Sequence, residues 1–268
     1  MLIDFHVHMF PESIAERTLS MLLKNMRETY NIDQNLSYGG TLPQLQKAMD
    51  CSGVDISVIM PIATKVTQYK TINDFAESVR SERIISFASL HPYQDNVDET
   101  LQDIKERGFI GIKLHPDYQG VFADDEKFIS LVNKAANKGL YIMIHSGEDT
   151  GIKPPFHAAA DRIRTMLDRV DSSFVILAHM GAFNEWDYVE EYLLGCDAYF
   201  DISVVSRFMD INQYRRIIDK HGCEKILFGS DAPWEDPAQT LEFLKKSGIE
   251  GEDLEKITHK NAEKILRL

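Results

Sequence analysis

Eight apolar, β-rich runs alternate with amphipathic segments along the 268 residues, and no low-complexity linker interrupts them. The histidines and acids of greatest chemical interest stand at the ends of those runs. These observations predict one α/β domain over residues 1–268, a (β/α)8 TIM barrel. The runs are continuously apolar, the mark of a parallel sheet covered on both faces. A doubly wound sheet is the structural alternative.

The predicted strands read, in order, "LIDFHV", "ISVIMP", "IISFASL", "FIGIKL", "LYIMIH", "FVILAH", "AYFDIS" and "KILFGS". Amphipathic segments follow each: 13–26 with 41–51, 72–83, 96–107, 125–138, 158–170, 186–194, 212–221 and 237–246. Glycine closes several of them, in "KERG", "NKG" and "KHG", as helix C-termini favour. The longest irregular stretch, "RETYNIDQNLSYGGT" at 27–41, lies on the side where barrel sites open. It reads either as a lid or as a surface excursion.

Composition narrows the function classes. Hydrophobic residues are 44% and charged residues 26%, the balance of a soluble globular protein. No apolar run approaches the roughly 18 residues of a membrane span, and "MLIDFHVHMF" lacks the pattern of a secretory leader. Cys51, Cys196 and Cys223 are odd in number and widely spaced, which suits neither a disulfide framework nor a CxxC site. A cytoplasmic location is expected. The formal net charge is −13 and no Lys/Arg-rich stripe is present, which argues against nucleic-acid binding. A small molecule is the expected partner, with no membrane; a homo-oligomer stays open.

The chemistry lies in position. A strand sends residues i and i+2 to one face, so His6 and His8 aim the same way. Asp4 shares that face, one step deeper, either orienting an imidazole or serving as a plain buried carboxylate. His145 ends the fifth strand, His179 the sixth, and Asp231 lies just beyond the eighth. All five ligand-type residues occupy the C-terminal mouth, where a barrel gathers side chains from distant strands. Burying them together unpaired would cost several kcal/mol, a cost a divalent metal removes.

"DFHVH", "GIKLHP", "HSG", "AHMG", "FGSDAPW" and "THKNAEKIL", in that order from one end of the chain to the other, resemble the amidohydrolase superfamily. More narrowly, they resemble amidohydrolase family 2, which includes decarboxylases related to aminocarboxymuconate semialdehyde decarboxylase. "GSDAPW" lacks the DxH of histidinol-phosphatase-type phosphoesterases. Lys113 and His115 stand where TatD-type nucleases carry a glutamate. The resemblance implies that His6, His8, His145 and Asp231 hold one ion, most plausibly Zn²⁺, with Mn²⁺, Fe²⁺ and Co²⁺ as options. It implies Asp231 as the base and His179 as an acid/base or electrophilic group. The expected activity is hydrolysis of an amide, lactone or similar bond by a metal-activated water. The alternatives are non-oxidative decarboxylation of an aromatic or unsaturated acid, and a catalytically silent ligand-binding barrel. Lys113, His115, Arg207, His157 and Trp234 are the candidate substrate contacts, with Lys113 read as unmodified.

Overall fold

The computed structural model describes residues 1–268, in which short parallel strands alternate with helices. β1 (Ile3–Val7), β2 (Ile56–Ile59) and β3 (Ile84–Ser86) pair in that order. β4 (Ala88–Ser89), β5 (Gly111–Leu114), β6 (Tyr141–Ile144), β7 (Val175–Leu177), β8 (Tyr199–Asp201) and β9 (Ile226–Leu227) pair in theirs. β3 and β4 are halves of one stave, parted at Phe87, whose N–H still reaches the Ile59 carbonyl at 2.9 Å. The other joint closes through Phe5 N–H to the Phe228 carbonyl (2.9 Å) and Asp231 N–H to the His6 carbonyl (2.7 Å). Eight staves thus form a TIM barrel, as the eight apolar runs predict. No helix is long and apolar enough to cross a membrane.

One irregularity decides what β1 presents inward. Asp4 pairs with Ser57 and Val7 with Ile59, so β1 spends three residue steps where β2 spends two. This is a β-bulge, and it breaks the period-two alternation. Phe5 joins Ile3 in the barrel floor, edge-on to Phe87 with ring centres 5.7 Å apart. His6, the next residue, lines the cavity above. Asp4 therefore parts from the histidines. Its carboxylate reaches neither imidazole: it accepts the Ser230 N–H (2.9 Å) and hydroxyl (2.5 Å) and the His6 backbone N–H (3.3 Å), and burial pushes it up to about 7.

The floor is a separate apolar cluster. Ile3, Phe5, Val58, Met60, Phe87, Met143, Ile176 and Leu227 meet Ala262, Ile265 and Leu266 of α12 (Asn261–Leu266). Gly111 makes room, since a Cβ there would lie 2.5 Å from the Phe87 ring. Asn261 Nδ2 donates to the carbonyls of Cys223 (2.7 Å) and Ile226 (2.8 Å), fastening this plug to β9. The strand–helix reading stops at residue 246 and does not foresee the plug.

Helices cover the outside around a second, larger core. α1 (Glu12–Tyr30) runs four residues beyond its predicted end and stops at Asn31, a residue type that tolerates its left-handed φ of 55°. α3 (Tyr69–Ser78) starts earlier and ends sooner than the pattern predicts. α9 (Ile211–His221) holds a correction. His221 reads as a surface residue in sequence, yet it is buried, stacks on Phe200 at 3.8 Å, and its Nε2 lies 2.9 Å from the Ala198 carbonyl.

Burial pushes His221 down to about 4. Its folded pKa lies below the unfolded one, so its stabilising contribution is present above about pH 6.5 and fades as pH falls towards 4. His221→Phe keeps the stacking and removes the titration. We expect urea unfolding at pH 7 and pH 5 to show a smaller acid loss in the variant, by about 1–2 kcal/mol. Equal losses in the two proteins would refute the assignment.

Candidate metal centre and active-site cavity

The bulge, the β9 turn and the end of β8 converge on one point. His8 Nε2 lies 2.9 Å and His6 Nε2 3.5 Å from Asp231 Oδ1. The three ligand atoms fall within 4.8 Å of one another. Asp231 Oδ1 is buried and receives no hydrogen bond. Asp231 also holds a left-handed φ of 60°, a conformation uncommon outside glycine. A buried carboxylate oxygen facing two ring nitrogens, with no donor aimed at it, fits a divalent cation.

Asp201, at the end of β8, organises the histidines. Its Oδ2 lies 2.7 Å from His6 Nδ1, which fixes the proton there and leaves Nε2 as the acceptor, facing Lys113 Nζ. Burial, with the Lys113 charge nearby, pushes His6 down to about 4, so the ring is neutral at pH 7. Oδ1 of Asp201 accepts the Ser203 hydroxyl (2.5 Å) and the backbone N–H groups of His179 and Ser203 (both 2.9 Å). With its proton on Asp201, the Ser203 hydroxyl accepts from His179 Nδ1 at 2.9 Å. His179 Nε2 therefore carries the lone pair. Burial alone would raise the Asp201 carboxyl, but His6, His179 and Ser203 hold it well below the usual carboxylate range. Sequence reading passes over Asp201, although "FDIS" carries the same signal as the other sites: a polar residue ending an apolar strand.

His145 stands apart from the His6–His8–Asp231 group. Its Nε2 lies 3.3 Å from the Glu148 carbonyl, and its Nδ1 faces His179 Nε2 at 3.1 Å. His115 stacks on it at 4.0 Å, with Nε2 3.3 Å from Asp149 Oδ2. Burial drives both His115 and His145 well below ordinary histidines. Gly147 pins this corner: its φ is 86° and a Cβ would lie 2.1 Å from Phe183 N. Lys113, on β5, is buried with Nζ 3.1 Å from His6 Nε2. Burial pushes its amine down to about 8 against the pull of Asp231 and Asp201, so it keeps its proton at pH 7.

These groups open into a cavity of about 850 Å³. Lys113, His115, Arg207 and Trp234 all line it, beside the histidines and Asp231. Arg207 sits at the rim and donates to Gln34 Oε1 (2.7 Å), while Gln34 Nε2 donates to the Trp234 carbonyl (2.6 Å). The irregular stretch after α1 is thereby stitched into the rim. His157 is a correction. It does not line the cavity; its Nδ1 lies 2.7 Å from Asp117 Oδ1 and its ring stacks on Phe122. Loop position alone suggests proximity, but this short polar contact turns the ring away.

The family model described as Amidohydrolase matches residues 3–268. No curated protein matches the chain. Among solved structures, 5-carboxyvanillate decarboxylase from Sphingomonas paucimobilis is similar with a TM-score of 0.71 at 15% identity, over 100% of this chain and 99% of that one. A dihydroxybenzoic acid decarboxylase from Polaromonas sp. JS666, with bound manganese, gives 0.68 at 16%, over 100% and 97%. A probable 2-pyrone-4,6-dicarboxylic acid hydrolase from Acinetobacter baumannii gives 0.66 at 14%, over 100% and 99%. At such identities the likeness is one of fold.

The Asp201 contacts generate a test. Asp201→Asn removes the charge that fixes the His6 tautomer, and metal affinity should fall about 10- to 100-fold in competition with a chromogenic chelator. Asp4→Asn, whose side chain reaches Ser230 instead, should lower stability while leaving metal affinity near the parent's. The reverse pattern would reassign the orienting role to Asp4.

Proposed function

The chain belongs to the amidohydrolase family, and from that membership we propose a metal-dependent carboxy-lyase that releases CO2 from an aromatic or unsaturated carboxylic acid. The observation that carries the reading is the buried Lys113 ammonium, 3.1 Å from His6 Nε2, at the end of a largely apolar cavity. A carboxylic acid entering this cavity meets a cation at its head and apolar surface along its body. The decarboxylases among the similar folds support the same choice. The catalytic unit is taken as residues 1–268, acting on a small molecule in the cytoplasm.

His6, His8 and Asp231 would hold one divalent ion; His145, expected from the sequence as a fourth ligand, stands off this group against His179. Zn²⁺ suits the nitrogen-rich donors, and the manganese in a similar fold argues for testing Mn²⁺ equally. Such an ion supplies a Lewis acid for the substrate oxygens. Lys113 pairs with the substrate carboxylate. His179, its Nδ1 committed to Ser203, exchanges a proton through Nε2, and Asp231 does so through its carboxylate. A proton delivered to the carbon bearing the carboxylate lets the C–C bond break. CO2 leaves, and the electron pair of that bond returns to the unsaturated system.

Hydrolysis of a lactone or amide is the second reading. Asp231 Oδ1, an acceptor without a donor, favours it, because such an oxygen can take a proton from water. Metal-loaded protein should be screened against aromatic and dienoic acids for CO2 release, and against lactones and N-acyl compounds for acid release. CO2 release supports the first reading; acid release alone overturns it in favour of the second.

Two variants test the roles. Asp231→Asn should lower kcat at least about 100-fold, because an amide does not accept a proton at neutral pH. Lys113→Met should raise KM for an acidic substrate about tenfold with metal content unchanged. Metal content near one equivalent checks the count. Two equivalents, with one lost in Lys113→Met, would instead assign Lys113 to a two-metal site.

A further inference from the structure

Much of α1 is not used by the core. Only Ala15 and Leu19 of this helix are buried. A second stripe, Ile14, Thr18, Met21, Leu22 and Asn25 with Met26 beside it, follows the helical repeat and lines the cavity; Thr18 and Asn25 are its polar, uncharged members. In that stripe Ile14 and Met21 remain 36% and 56% exposed. α3 adds Thr71, Ile72 and Phe75 to the same wall. Both helices are rich in charge elsewhere, yet neither contributes a charged side chain to the cavity. Scattered exposed hydrophobics are ordinary. A mainly apolar, uncharged wall, interrupted only by Thr18, Asn25 and Thr71 and continuous with a cluster of metal-ligand atoms, is a binding surface. At about 850 Å³ the cavity stands in the upper part of the range for small-molecule sites, roughly 300–1,000 Å³.

We infer that the substrate carries its reacting head group on an extended apolar body, an acyl chain or linked rings, laid along α1 and α3. This rests on the reading that the head group binds at His6, His8 and Asp231. The occupant is assigned to the substrate because one cavity joins the apolar wall to that cluster. Ile14, Met21 and Phe75 then select chain length, while Lys113 and the metal ligands select the head.

The test uses metal-loaded protein and a series of alkyl hydroxamates, whose chelating head binds a divalent ion whatever the tail. Calorimetry from aceto- to octanohydroxamate should show affinity rising about threefold per added methylene. Ile14→Glu and Met21→Glu, both at exposed positions, should each flatten that rise. Acetohydroxamate binding with no gain along the series overturns the apolar-body inference and leaves the metal-centred reading standing. Binding that grows with chain length, but needs no added metal and is absent for acetohydroxamate, keeps the apolar body and overturns the metal-centred reading. No binding by any member overturns both.

Discussion

The Asp201 carboxylate holds the mouth of the barrel together. It takes the His6 ring proton on one oxygen, and the Ser203 hydroxyl and the His179 backbone on the other. Two imidazoles from β1 and the β7 turn are thereby set in defined tautomers, their Nε2 atoms facing Lys113 and His145 on the cavity side. His179 and the following Met180 both hold a φ of 59°. Their N–H groups end on Asp201, at its side chain and its carbonyl. The unusual backbone and the side-chain orientation thus depend on one buried residue.

Beneath this polar layer lies a dry apolar floor, and the contrast raises the strength of every charge above it. Lys113 offsets one of the two buried carboxylates Asp201 and Asp231, and one negative charge among these three remains. A divalent ion turns the set positive. The positive charge at this inner end is local, since Glu148 and Asp149 also line the cavity and the chain as a whole has a formal net charge of −13. The acidity of the exterior and the charge at the inner end are separate properties.

The fold was legible because parallel strands buried on both faces leave continuous apolar runs, and barrel chemistry gathers at their ends. His6, His8, His179 and Asp231 were visible from position alone, and all line the cavity. What escaped had physical causes. The β1 bulge adds a residue without any sequence mark, so alternation placed Asp4 beside the imidazoles. His157 was placed by its loop, but a single contact with Asp117 outweighs loop position. Asp201 looked like the end of a strand because its partners lie far away, at His6 and His179. The plug helix α12 follows no strand, and a pattern of alternating units gives it no place.

That plug brings β1 and α12, far apart in sequence, into one cluster. Ile3 and Phe5 of β1 find their cover in Leu227, Ala262, Ile265 and Leu266. Part of the cover over β1 thus comes from residues far away in sequence, and bringing the two together fixes a long loop at an entropic cost. Helices and neighbouring strands can pair through local contacts, but the floor is complete only when this distant pair meets. The metal-ligand cluster stands on that floor, so its geometry depends on a contact of high sequence separation, the slow kind to form.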